Sequence, residues 1–270
     1  MNARTEMSTS TAEASGAVTS PDVAVYACRL GDDALILAQR LGEWITRAPQ
    51  LEEDVALANI GLDLLGQARM LLTYAGAREG EGRDEDALAY LRDERAFTNV
   101  VLVEQPRGDF AVTMARLLVF SAYQYELYQR LAATSTDDTL AAIAAKAVKE
   151  VAYHRDHATQ WVLRLGDGTQ ESHTRMQAGL DTVWPCVDEL FESDAVERGL
   201  VADGQAVDRA AMRPSFDAYV TGVVTEATLR MPDVRGTPVS GGRRGVHTEA
   251  MGYLLAEMQY LVRTHPEALW

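Results

Sequence analysis

One pair of residues comes closest to metal-ligand chemistry. Glu150 and His154 stand four apart in KEVAYHRDH (149–157), and positions four apart share a helix face, the spacing at which paired histidines hold zinc in some enzymes. A carboxylate and an imidazole so placed could bind an iron or zinc ion. The competing reading makes His154 a hydrogen-bonded core histidine, because buried polar groups find partners. His157 and His173 lack a matching ligand set. Nucleophilic chemistry has less to work with: Cys28 and Cys186 stand alone, and there is no G-x-S-x-G elbow or Walker-type loop. GEG at 80–82 and GDG at 166–168 read as helix-terminating loops.

Any such site must be positioned by the elements around it. The 270 residues suffice for one large domain or two small ones, and 47% hydrophobic with 24% charged residues is the balance of a folded chain with a sizeable core. Forty Asp and Glu against 25 Lys and Arg leave a net charge of −15. That charge opposes nonspecific nucleic-acid binding, which needs a cationic face to release counterions. No run approaches the roughly 18 uninterrupted apolar residues of a membrane span. Two distant cysteines suit a reducing compartment, so a cytoplasmic protein is expected. Residues 1–21 are rich in Ser and Thr, carry Glu6 and Glu13 and lack an apolar signal core, which predicts a disordered tail. Residues 22–270 are expected to form one domain.

Apolar residues then recur at spacings of three and four throughout. Leu35, Ala38, Leu41 and Ile45 mark a first helix that Pro49 must end. Glu52, Glu53 and Asp54 open a second, where negative charge complements the dipole, and its stripe runs from Leu57 through Leu64 and Leu71 to Ala75. A short helix and its exit follow over 84–99, and long helices over 109–132 and 138–165. Met176 to Leu190 predicts one further helix, 208–229 another, and 247–263 the last, with no defensible strand. The fold class is all-α. Two long antiparallel pairs, 30–78 and 109–165, separated by a crossover of about 30 residues, match a ferritin-like four-helix bundle with one long crossover plus additional C-terminal helices.

Such bundles hold a di-iron centre with a Glu-x-x-His pair on each of two helices. Neither pair is present. Following the apolar stripes, the corresponding positions read Leu64-x-x-Gln67 on the second helix and Val151-x-x-His154 on the fourth. Aliphatic groups replace both bridging carboxylates, and aliphatics cannot ligate iron. Glu150 falls toward the rim of the stripe. Asp63 lies about 100° around the helix from Leu64, off the metal-facing line, and Glu43, Asp63 and Glu126 read as solvated or interhelically paired.

The stretches RLGDDALILAQRLGEW (29–44), ALANIGLDLLGQAR (56–69), RDERAFTN (92–99), LVEQP (102–106), KAVKEVAYH (146–154) and GVHTEAMGYLLAEMQYL (245–261) resemble the C subunits of bacterial phenylacetyl-CoA epoxidases, in family order across most of 23–265. The resemblance implies a role in a multicomponent di-iron monooxygenase that epoxidises the aromatic ring of phenylacetyl-CoA in aerobic phenylacetate degradation. In that family the di-iron centre sits in the A subunit, and a reductase with FAD and iron-sulfur supplies electrons from NADPH. The C subunit is a noncatalytic paralogue that supports the di-iron one. The resemblance thus implies no catalytic residue, metal or cofactor in this chain. The alternatives are a stand-alone ferritin-like metal oxidase with a shifted ligand set such as Glu150 and His154, and a helical CoA-binding module without partners.

The resemblance also implies that the stretch after RDER approaches the substrate, making Phe97, Thr98 and Asn99 lining residues. Arg92 and Arg95, with Arg107 nearby, would meet the CoA phosphates there. The alternative pairs Arg92 and Arg95 with Asp93, Glu94 or a neighbouring helix. Arg243 and Arg244 are expected to contact a partner chain or water. The partner surface is expected on the helix 245–263, through Tyr253, Met258 and Tyr260, and on Tyr123, Tyr125 and Tyr128; the isolated chain is expected to self-associate.

Overall fold

The computed structural model describes residues 20–233 and 239–268, so most of the expected tail, residues 1–19, lies outside the described residues. Its last residue, Pro21, instead opens the first helix, as proline does where no intrahelical donor is needed. Four long helices are α1 (Pro21–Gly42), α2 (Leu51–Glu79), α5 (Phe110–Thr134) and α6 (Asp138–Gly166). Between α2 and α5 runs the crossover, with α3 (Glu85–Tyr90), a single 3-10 turn at Glu94–Ala96 and α4 (Val101–Glu104). Then come α7 (Gln170–Val183), α8 (Ala195–Ala202), α9 (Arg213–Glu226) and α10 (Glu249–Thr264). No strand occurs among the described residues.

Local chemistry sets these boundaries. Asp109, Asp137, Thr169 and Asp194 accept main-chain N–H groups at the starts of α5, α6, α7 and α8. Gly80, with φ of 81°, ends α2 in the left-handed conformation. The helix expected to run from Met176 through Leu190 stops at Val183. Pro185 has no N–H to donate and its ring clashes one turn back, so the chain continues in 3-10 turns, Trp184–Cys186 and Asp188–Phe191. Those turns keep Trp184, Val187 and Leu190 buried, so the apolar spacing reported burial correctly and helical continuity wrongly.

α1 packs on α2, α5 on α6, and α2 crosses to α6. Contacts of Ser20 with Arg78 and of Gly61 with Leu41 make α1 and α2 antiparallel. This is the ferritin-like bundle, with α7 and α9 laid over α5 and α6, and α10 over the crossover. By length and apolar content α2 could cross a membrane, yet Leu57, Ile60, Leu64 and Leu71 pack into the bundle core. One end of the bundle is closed by edge-to-face rings: Trp44 on Phe110 at 5.7 Å and Phe110 on Trp161 at 4.9 Å. The Trp44 indole also donates to Thr113 Oγ1 at 3.0 Å. Trp44→Ala should therefore cost about 3–5 kcal/mol, the usual range for a buried aromatic, read as a lower urea midpoint with an unchanged slope.

Candidate functional site

At the level where a ferritin-like bundle carries metal, Leu64, Gln67, Val151 and His154 are all buried, as their stripes require. The polar members are already engaged across the α2–α6 seam. Gln67 Nε2 donates to Glu150 Oε2 at 3.0 Å, and His154 Nε2 lies 3.0 Å from Asp63 Oδ2. Glu150 and His154 thus turn to different partners. One turn further along α6, His157 Nε2 lies 3.1 Å from Glu53 Oε2, and toward the other end Tyr74 donates to Asp137. The seam is a polar ladder between antiparallel helices. Burial lowers the pKa of both His154 and His157, and the neighbouring Asp63 and Glu53 only partly oppose it.

These residues do not fit a di-iron centre. Leu64 and Val151 offer no donor, and Gln67 Oε1, orphaned here, is a single neutral oxygen; one turn along the seam the orphaned Glu53 Oε2 and His157 Nε2 face each other, a single carboxylate and a single imidazole. Among the described residues no three His, Cys, Asp or Glu side chains converge as a ligand set.

The densest polar chemistry lies instead where the crossover meets α1 and the chain around α10. Asp32 and Asp33 are adjacent on α1 and both buried. Neighbours on a helix diverge by about 100°; both reach the crossover, and Asp33 reaches the loop before α10 as well. Asp32 accepts Arg92 through both guanidinium nitrogens, Thr98 N at 2.8 Å and Thr98 Oγ1 at 3.0 Å. Asp33 accepts Val100 N at 2.8 Å and the fork of Arg243 at 2.7 and 3.0 Å. Arg243 also donates to Thr98 O and Arg29 O, so it is bound within its own chain rather than to a partner or to water.

A second clamp joins the same segments. The buried Glu104 carboxylate accepts Asn99 Nδ2 at 2.9 Å, His247 Nδ1 at 2.6 Å and Thr248 N at 2.6 Å. The last of these satisfies the main-chain N–H of the residue that precedes α10, whose own side chain makes no cap there. His247 Nε2 faces Phe97 O at 3.0 Å, so both ring nitrogens point at acceptors. Burial lowers the pKa of His247, but the Glu104 carboxylate and the Phe97 carbonyl together raise it above the ordinary value. Glu189 completes the set by accepting Val101 N, Gly241 N and Gly242 N. The fit is close: a Cβ on Gly242 would sit 1.9 Å from Asn99 O, and one on Gly245, at φ of 69°, 2.2 Å from Arg95 O.

Of the residues read as substrate-facing, Arg92, Phe97, Thr98 and Asn99 gather in this clamp, while Arg95 faces solvent. Arg92 directs its donors to Asp32, Leu88 O, Ala96 O and Cys28, and stacks 4.2 Å over the Phe97 ring. Phe97 and Asn99 have no exposed surface. Arg92 and Thr98 line a cleft of about 440 Å³ with Cys28 and Ala96. Burial, with Asp32, pushes the Cys28 thiol up to about 12, so it is no nucleophile. Arg107 stacks on Trp44.

The family described as phenylacetic acid catabolic protein matches residues 1–270. The chain belongs to that family. A relative from Escherichia coli (strain K12), named as the C subunit of 1,2-phenylacetyl-CoA epoxidase, is 49% identical over 245 residues, covering 91% of this chain and 98% of the relative. In this phenylacetic acid catabolic family member the stretches that carry the resemblance are also the clamp. RLGDD supplies Asp32 and Asp33, RDERAFTN supplies Arg92 and Thr98, LVEQP supplies Glu104, and GVHTEA supplies His247.

Reasoning from the residues missed Asp32, Asp33, Glu104 and Glu189. A signal existed, since Asp33 falls three after Leu30 and four before Leu37, on the buried stripe itself.

Glu104→Ala should destabilise the chain by about 3–5 kcal/mol, because it strips the buried Asn99 Nδ2, His247 Nδ1 and Thr248 N of their common acceptor; thermal melting checks this. The histidines give opposite pH signatures. His154 and His157 titrate lower in the fold, so their contribution is complete above about pH 6.5 and is lost as pH falls through their folded values. His247 titrates higher, so its contribution is complete below about pH 6.5 and is lost as pH rises through its folded value. Melting curves should show the acid-side loss of stability reduced in a His154→Gln, His157→Gln variant and the opposite side altered in His247→Gln.

Proposed function

We propose that this chain is the structural, noncatalytic C subunit of a multicomponent di-iron monooxygenase that epoxidises the ring of phenylacetyl-CoA, and that it works in the cytoplasm bound to a catalytic A subunit. The observation that carries the reading is the replacement of both Glu-x-x-His pairs by Leu64-x-x-Gln67 and Val151-x-x-His154, whose polar members are consumed in the α2–α6 seam. The near full-length likeness to the Escherichia coli relative supports it. The di-iron centre then belongs to the A subunit, and NADPH, FAD and iron-sulfur to a reductase. This chain contributes a rigid bundle that orders its partner.

Contact with the CoA ester, if made by the 92–99 segment, falls in the free chain to Arg95 and Thr98, which keep exposed surface; Arg92 and Asn99 act there through the clamp, and Phe97 through packing.

Reconstitution tests the role directly. Epoxidation by the reductase with the di-iron subunit should depend on adding this chain, and the chain purified alone should carry no stoichiometric iron. Full activity with the chain omitted sinks the supporting role. Stoichiometric iron with a di-iron spectrum in the isolated chain favours the stand-alone oxidase.

A further inference from the structure

α2 carries two apolar stripes. The inner one, Leu57, Ile60, Leu64 and Leu71, fills the core. The outer one, Leu51, Val55, Ala58, Leu62 and Leu65, recurs at spacings of four and three, the seam of a coiled coil. It faces away from the chain's own core: Leu51 is 74% exposed and Leu62 64%. A helix that is apolar on both sides belongs between two packing partners, and this chain supplies one.

Beside the outer stripe lies a groove of about 310 Å³. It is lined by small residues, Ala38 and Gly42 from α1 and Ala58 and Gly61 from α2, together with Tyr90 and Met258. Tyr253, exposed on α10, lines an adjoining cleft with Gly42 and Ile45, and Tyr260 is exposed on the same side of that helix. Tyr123 and Tyr128, expected as part of a partner surface, are buried in the core, and Tyr125 stacks on Arg155. Among the described residues no contact calls for glycine at this face. A Cβ on Gly42 or Gly66 would meet no atom within 4 Å, and one on Gly61 would meet ordinary contacts with Leu41 and Ala38. Glycine weakens a helix interior relative to alanine, so its use at Gly61 and Gly66 fits close approach by something outside the chain.

The border identifies the occupant. Glu43, Glu52, Glu85, Asp86 and Glu257 stand around the apolar face; Glu43 is paired with Arg40 and Glu85 with Arg69, which leaves Glu52, Asp86 and Glu257 against Arg47. A second copy would bring the same acidic border to a chain of net charge −15, setting like charges face to face, which speaks against this face as the seat of the self-association expected from the sequence.

We infer that the groove along the outer stripe of α2 docks a helix of the partner bundle that is apolar along its centre and edged with lysine and arginine. The inference rests on the proposed subunit role and adds the face used and the chemistry of what covers it. The test uses the full chain co-expressed with a tagged paralogue that retains two Glu-x-x-His motifs. Gly61→Gln fills the groove with a good helix former, and Leu62→Glu with Leu65→Glu charges the exposed seam. Both variants should melt no lower than wild type and keep its circular dichroism, yet bind the paralogue about tenfold or more weaker, and wild-type association should slow as salt rises. Wild-type affinity in both variants, with the wild-type complex intact, overturns the docking face and leaves the subunit role standing. A homodimer of this chain that the same substitutions disrupt overturns it too, by naming a second copy as the occupant. No complex between wild type and the paralogue overturns both readings.

Discussion

Two adjacent buried carboxylates on α1 hold this molecule together at the point where its chain is least regular. The crossover between α2 and α5 has only short helices of its own, so its main-chain groups cannot be satisfied within it. Asp32 and Asp33 take Thr98 N and Val100 N from one side of that segment and the guanidinium groups of Arg92 and Arg243 from two others. A buried carboxylate is stable only when paired and fully hydrogen-bonded, so both must be met together. The crossover, the loop before α10 and α1 therefore fix one another.

The same pattern extends outward from the pair. Arg29, one turn before Asp33, binds Asp194 and Glu197 at the start of α8, and Glu197 passes on to Arg209. Glu104 and Glu189 repeat the carboxylate-on-main-chain device at α10 and at Gly241 and Gly242. Charged groups thus link the C-terminal elements to the bundle, while apolar packing links the four long helices to one another. The two kinds of contact fail differently: removing one charge strands its partner, whereas trimming an aliphatic leaves a cavity.

In the bundle interior, the positions at which a ferritin-like bundle carries metal form a packed seam between α2 and α6. Leu64 and Val151 supply packing where ligating oxygens would stand, and the His154 imidazole, its pKa lowered by burial, is held by Asp63. The acidic, apolar-centred face of α2 and α10 is then the part of the molecule whose composition its own fold leaves unexplained.

The periodicity of three and four determined the all-α class, the four long helices and the inward positions of Leu64, Gln67, Val151 and His154, because a helix maps spacing onto faces without help from the rest of the chain. The missing Glu-x-x-His pairs were readable for the same reason. Pro185 showed the limit, since burial survived there while the helix did not. Only the tertiary structure decided that Arg92 turns to Asp32, that Arg243 turns inward to Asp33 and that Glu104 meets His247, partners that lie 60, 210 and 143 residues apart. A charged residue in sequence shows no direction, and its partner is chosen by which distant segments packing brings within hydrogen-bond reach. The outer stripe of α2 illustrates the division: its spacing was in the sequence from the start, but only the packed bundle decided which of the two apolar faces the chain could cover by itself.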